Sequence, residues 1–287
     1  MQRSTKIFGA CITLIAIKSV LFATETDPQS RFAPFETMKI HYTNRGEGKQ
    51  ALVFVHGWSC DSTFWKAQLD AFPQTRVIAI DLPGHGESDK PEIAYDMDLH
   101  ARAIDAVLRD AKVDRAVLVG HSNGTPVIRQ FYRKYPEKTR ALVIVDGALR
   151  PFADAAVMEK FIGPMRAPNY RDYIGQVVDA MTRPMKDQAA RAEIKEAMLR
   201  TPQFVSVSEM EAITKPELWK EDQINVPTLM IMAKQPAWSA DYERFVRGLV
   251  PDLDYQVWEG VSHFLMIDKP QEFNAAVAGF LAKLGTR

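Results

Sequence analysis

Cysteine is nearly absent, since the 287-residue chain carries only Cys11 and Cys60. Removal of an N-terminal leader would leave Cys60 alone, and one thiol cannot close an internal disulfide, so the mature fold has to stand on its packed core. Cys60 itself reads as a small buried or loop residue rather than a nucleophile. Net charge is lacking too. The 36 basic and 36 acidic residues cancel, which leaves no global field to favour nucleic acid, an anionic membrane or a highly charged substrate. The expected partner is therefore a small, uncharged or weakly charged molecule, with no nucleic acid and no stable membrane partner. Internal repeats and low-complexity tracts are missing as well. What is present is ordinary for a globular enzyme: hydrophobic residues make up 46% of the chain and charged ones 25%, enough apolar mass for one core with one excursion.

The N-terminus places Arg3 and Lys6 before an apolar run from Ile7 to Ala23, followed by the polar stretch Thr24 to Ser30. That order reads as a secretory signal over residues 1–24 and predicts a secreted or periplasmic protein. Lys18 interrupts the run and opposes insertion, so an uncleaved membrane anchor is the competing reading. A lipoprotein signal through Cys11 fails because too little apolar sequence precedes it.

Short apolar, β-rich runs recur at Ala51 to Val55, Arg76 to Ile80, Ala116 to Val119, Ala141 to Val145, Thr228 to Met232 and Tyr255 to Trp258. Most are too continuously apolar for amphipathic helices and suit strands buried on both faces of a parallel sheet. Helix-compatible segments separate them, among them Asp96 to Ala111, Thr125 to Tyr135 and Gln271 to Leu284; in the last, Phe273, Ala276, Val277 and Phe280 share one face. The alternation predicts an α/β fold with a mostly parallel, doubly wound sheet. It breaks after Asp146. From residue 149 to 221 there is no convincing strand, only Met- and Phe-rich helical patterns around Met158 to Met165, Tyr173 to Met181 and Ala189 to Met198, divided by prolines. These predict a helical lid inserted between two core segments, 31–148 and 222–287.

Gly120-His121-Ser122-Asn123-Gly124 lies between a strand-like run and a helical one. This is the G-x-S-x-G elbow in the setting its mechanics require, with flanking glycines allowing a sharp turn that raises the Ser122 hydroxyl above the sheet. An ordinary strand-to-helix turn with a capping serine is the bland alternative. With Val55-His56-Gly57-Trp58, the run from Asp81 to Ser88 and Gly260-Val261-Ser262-His263-Phe264, the sequence resembles the α/β-hydrolase superfamily over nearly all of the chain after the leader. These motifs are specific for the fold and much less so for the substrate.

The resemblance implies Ser122 as nucleophile and an oxyanion hole made by the backbone N–H groups of Trp58 and Asn123. A serine needs a base, usually histidine. Of six histidines, His41 falls on an early strand, His56 and His85 in fold motifs, His100 on a helix, and His121 points away from the elbow by its neighbouring position. His263, late in the chain on a loop before the last helix, is the expected base. A carboxylate should orient it. Such families usually supply the acid after the strand that is here Thr228 to Met232, but that loop reads Ala233-Lys234-Gln235-Pro236-Ala237-Trp238 and holds no acid. Some relatives place it at the end of the preceding strand, where this chain has Asp146 before Gly147. Asp146 is accordingly the expected acid, Asp241 the reserve, and Asp268 reads as a surface or helix-start residue.

The implied chemistry is hydrolysis of a carboxylic ester or lactone of a small apolar substrate through an acyl-enzyme, with no cofactor and no metal required. A carbon–carbon hydrolase of ring-cleavage products and a low-turnover ligand-binding homologue are the rivals. Serine at the elbow argues against dehalogenase and epoxide hydrolase chemistry, which uses aspartate there. Trp58, Trp65, Phe161, Met165 and Trp238 are candidates to line an apolar pocket under the lid.

Overall fold

The computed structural model describes residues 29–285, so the leader read over residues 1–24 lies outside it. Eight strands form one sheet: β1 (Gln29–Phe35), β2 (Met38–Arg45), β3 (Gln50–Val55), β4 (Val77–Ile80), β5 (Arg115–His121), β6 (Thr139–Val145), β7 (Thr228–Ala233) and β8 (Leu253–Trp258). They lie in the order β1-β2-β4-β3-β5-β6-β7-β8. From β4 to β8 every neighbouring pair is parallel, while β1 with β2 and β2 with β4 are antiparallel. All residues of β4 and β7 are buried, which is why those runs are apolar without alternation.

The expected strands are found with small extensions, and one extension matters for the site. β5 continues past Val119 because Gly120 and His121 pair with Ile144 and Val145 of β6, bringing the strand to the residue before Ser122. The hairpin of β1 and β2 was foreshadowed only by His41, because the first four residues of β1 are exposed and show no alternation.

The helices that were read in the core hold to within a residue or two. Met97–Asp110 starts at Asp96, whose carboxylate accepts the Leu99 N–H at 2.8 Å, a cap that stabilises a helix by about 1 kcal/mol. Gly124–Lys134 follows the elbow, and Pro270–Gly285 buries Phe273, Val277, Phe280 and Leu284 on one face.

Between β6 and β7 lie the helices Ala155–Ile162, Tyr170–Met181, Gln188–Arg200 and Gln203–Ala212. The first three fall in the expected places; the fourth was not read as a helix. Polar contacts dock it on the sheet domain. Ser206 O accepts Trp58 Nε1–H at 2.9 Å, and the Ser206 and Ser59 hydroxyls share a 2.8 Å hydrogen bond. Glu209, 1% exposed, accepts from His100 Nε2 at 2.8 Å and lies 3.4 Å from His85 Nε2. Burial opposes its ionisation, yet the His85 charge and the His100 hydrogen bond hold its carboxyl well below the usual range. His85 is shifted the other way: burial alone would lower it, and the Glu209 charge more than compensates.

Candidate active site

Ser122 sits where β5 hands over to the helix Gly124–Lys134, with φ at +52°. That left-handed conformation costs a non-glycine residue about 1 to 2 kcal/mol, so the surroundings must hold it. Ser122 N donates to Val145 O, and Ser122 O accepts from Thr125 N, each at 2.9 Å. The flanking glycines are required by close approach. A Cβ on Gly120 would fall 2.6 Å from the Gly124 carbonyl oxygen, and one on Gly124 would fall 2.7 Å from Val55 O.

Asp146 follows β6 directly, also with positive φ, at +44°. Its backbone N–H donates to Ile231 O at 2.9 Å, fixing it beside β7. The carboxylate is 2% exposed and fully engaged. Oδ2 accepts from His263 Nδ1 at 2.6 Å; Oδ1 accepts from Ala233 N at 3.0 Å and from Trp238 Nε1 at 2.7 Å. These three donors fix the carboxylate's orientation, and the His263 bond through Nδ1 leaves Nε2 as the free nitrogen of the ring.

The loop that carries His263 is tied at several points. Asp268 Oδ2 accepts Ser262 N–H at 2.6 Å, Ser262 Oγ accepts Phe264 N–H at 3.1 Å, and Met181 O accepts His263 N–H at 3.3 Å. Asp268 is thus no mere surface residue. His121 does turn away from the elbow, but toward His263: its Nε2 donates to His263 O at 2.8 Å and the two rings lie 4.7 Å apart. Burial, reinforced by the neighbouring His263, pushes His121 well below the usual imidazole range, which fits a neutral ring donating to a carbonyl. This support was missed in the sequence, where position alone could not show what His121 touches.

Ser122, Asp146 and His263 line one cavity of about 520 Å³, together with Trp58 and Asn123. The remaining lining is mainly apolar and comes in part from the inserted helices, as with Phe161, Met181 and Met210. Trp58, Phe161 and Trp238 line it as expected. Trp65 and Met165 do not. Trp65 is fully buried in the core against Phe54 at 4.8 Å and Phe273 at 6.1 Å, and Met165 is fully buried. Apolar bulk predicts burial equally well in a core and in a pocket, so composition could not separate them. Asp241, the reserve acid, is exposed over 76% of its side chain and pairs with Arg244; Ser239 caps its helix, Ala240–Leu249.

The other histidines are engaged elsewhere. His41 bonds to Asp81 at 2.7 Å. His56 Nε2 accepts from Leu82 N at 3.0 Å, and burial with the nearby His85 charge pushes His56 down to about 4, so it stays neutral in that turn. Cys60 is buried, and burial pushes its thiol well above the usual range.

Residues 52–276 match the alpha/beta hydrolase family. A 2-hydroxy-6-oxononadienedioate/2-hydroxy-6-oxononatrienedioate hydrolase of Burkholderia vietnamiensis is 28% identical over 273 residues, covering 86% of this chain and 92% of its own. Two solved structures are similar in fold. One is Est816, described as an N-acyl homoserine lactone degrading enzyme, with a TM-score of 0.72 and 26% identity over 87% of this chain and 100% of its own. The other is a thermophilic esterase, with a TM-score of 0.71 and 28% identity over 90% of this chain and 99% of its own.

Proposed function

The chain belongs to the alpha/beta hydrolase family, and on that premise we propose that it is a serine hydrolase cleaving a carboxylic ester or lactone of a small apolar substrate through an acyl-enzyme. The observation that carries the proposal is the 2.6 Å bond between His263 and Asp146 in the wall of the same cavity that holds Ser122. In the proposed cycle Ser122 Oγ attacks the substrate carbonyl while His263 takes its proton and then returns it to the leaving group. Asp146 fixes the ring tautomer and stabilises the imidazolium. The backbone N–H groups of Trp58 and Asn123 receive the negative charge on the former carbonyl oxygen, and loss of one such donor costs about 3 kcal/mol of barrier lowering. Water then attacks the acyl-enzyme by the same route. The helices between β6 and β7 act as the lid, and the N-terminal leader directs the protein out of the cytoplasm.

The cavity supports a neutral substrate. Apart from His263, Lys234 is the one cationic residue in the lining among the described residues, and it is paired with Glu259 at 2.5 Å. A dienedioate, the compound class named for the Burkholderia relative, would bring two carboxylates into a mainly apolar site whose one lysine already shares its charge with an exposed Glu259, a costly transfer. Ester or lactone hydrolysis is therefore preferred over carbon–carbon cleavage.

A series of p-nitrophenyl esters from acetate to octanoate, run beside a ring-cleavage dienedioate, tests this. The expected result is many turnovers on at least one ester and none on the dienedioate. Cleavage of the dienedioate alone would reverse the preference, and a single turnover on every ester would favour a ligand-binding role.

A further inference from the structure

We infer that Trp238 is a positioning residue for Ser122 activation, acting through Asp146; this rests on the serine-hydrolase reading above. The loop after β7, where a carboxylate was expected, supplies a donor instead. Its indole N–H reaches back 2.7 Å to Asp146 Oδ1, on the acid that stands at the end of the neighbouring strand β6.

The geometry gives this bond a definite task. Asp146 Oδ2 serves His263, so the orientation of the carboxylate plane depends on what holds Oδ1. Ala233 N supplies one donor from the last residue of β7, where strand pairing with Trp258 fixes it. Trp238 Nε1 supplies the other. With both in place, the carboxylate cannot turn about its Cβ–Cγ bond without breaking hydrogen bonds inside a buried site, where an unpaired acceptor is costly. The indole is itself held: its ring packs on Tyr242 at 4.8 Å, and the Tyr242 hydroxyl accepts the Leu149 N–H at 3.0 Å. The Trp238 backbone N–H closes a turn on Gln235 O at 3.1 Å. Indole offers a donor and no acceptor, so Trp238 can neither take a proton nor replace the acid. Its influence on His263 passes through Asp146.

Trp238 also lines the cavity, and simple loss of substrate contact has to be separated from loss of positioning. The rate of Ser122 labelling by a small fluorophosphonate does this within a double-mutant cycle of Trp238→Phe and Asp146→Asn. Trp238→Phe alone is expected to slow labelling by about tenfold, the size of one hydrogen bond to a charged group, and to lower kcat on the best ester while leaving KM within about twofold. In the Asp146→Asn background the same substitution is expected to change labelling by less than about twofold, because the carboxylate it held is gone. An equal slowing in both backgrounds, or a change confined to KM, would overturn the inference. Should Trp238→Phe not fold, benzothienylalanine at position 238, the isosteric analogue lacking the N–H, carries the same expectations. Labelling of Ser122→Ala at the wild-type rate would defeat the serine reading itself, whereas no labelling there with unchanged labelling of Trp238→Phe would defeat this inference alone.

Discussion

His263 and Asp146 lie 117 residues apart in sequence and are joined by a 2.6 Å hydrogen bond from Nδ1 to Oδ2. The bond spans β7, because Asp146 follows β6 while His263 follows β8. Asp146, the proposed acid, lies one strand nearer Ser122 than the loop after β7, and the His263 imidazole reaches it.

That relationship separates two substitutions. Asp146→Asn is expected to lower kcat by on the order of 10⁴-fold, as wrong-tautomer triads do, whereas Asp241→Asn, on an exposed side chain paired to Arg244, changes kcat less than about twofold. Steady-state kinetics on the best p-nitrophenyl ester checks both, and a collapse in the Asp241 variant alone would reverse the assignment.

Gly120→Ala tests the elbow without touching a reacting group. Its added methyl would sit 2.6 Å from the Gly124 carbonyl, and relief requires β5 and the following helix to separate. The expected cost is about 1 to 3 kcal/mol, the range for overpacking, seen as a lower thermal midpoint and slower fluorophosphonate labelling. An unchanged midpoint and rate would contradict the close-packed elbow.

Glu209 links the inserted helices to the sheet domain, and its contribution should depend on pH from both sides. Its carboxyl is depressed in the folded state, so its stabilisation is present above the ordinary value of 4.5 and is lost as pH falls below it. His85 is raised, so its share is complete below 6.5 and is lost as pH rises through its folded value. Glu209→Gln, which leaves His85 without its charged partner, is expected to cost about 3 kcal/mol. Thermal melts should show the gap between wild type and variant widest between these two pH values and narrower on either side; a gap independent of pH would contradict the charged pairing.

Cys60, buried with its thiol pushed up by burial and by the nearby Asp61 and Glu209 charges, should resist iodoacetamide in the native protein at pH 8 and react fully in denaturant. Peptide mapping of the alkylated chain reads this out. Cys60→Ala is expected to keep ester hydrolysis within about twofold; rapid native alkylation coupled to loss of activity would contradict a purely structural thiol.

The candidate residues Ser122, His263 and Asp146 stand out in the sequence, each for a different reason. The elbow imposes a local glycine pattern, His263 was the histidine left once position had placed the others, and Asp146 became conspicuous because the loop Ala233 to Trp238 has no acid. What escaped detection depends on contacts between distant segments. The helix Gln203–Ala212 buries Ser206 and Glu209 beside Val205 and Met210, so its inward face carries no clean apolar period. Those polar groups are inward because Ser59, His85 and His100 await them, which only the folded chain displays. Trp65 and Trp238 illustrate the same limit: one is core, the other donates to the acid, and nothing in their neighbours along the chain tells them apart.

The proposed chemistry depends on the Ser122 hydroxyl, and intact-mass analysis after fluorophosphonate treatment tests it most directly. One adduct per chain is expected, mapping to the peptide that contains Ser122, absent in Ser122→Ala and strongly slowed in His263→Ala. An adduct on any other residue, or ester hydrolysis surviving in Ser122→Ala at the wild-type rate, would contradict it.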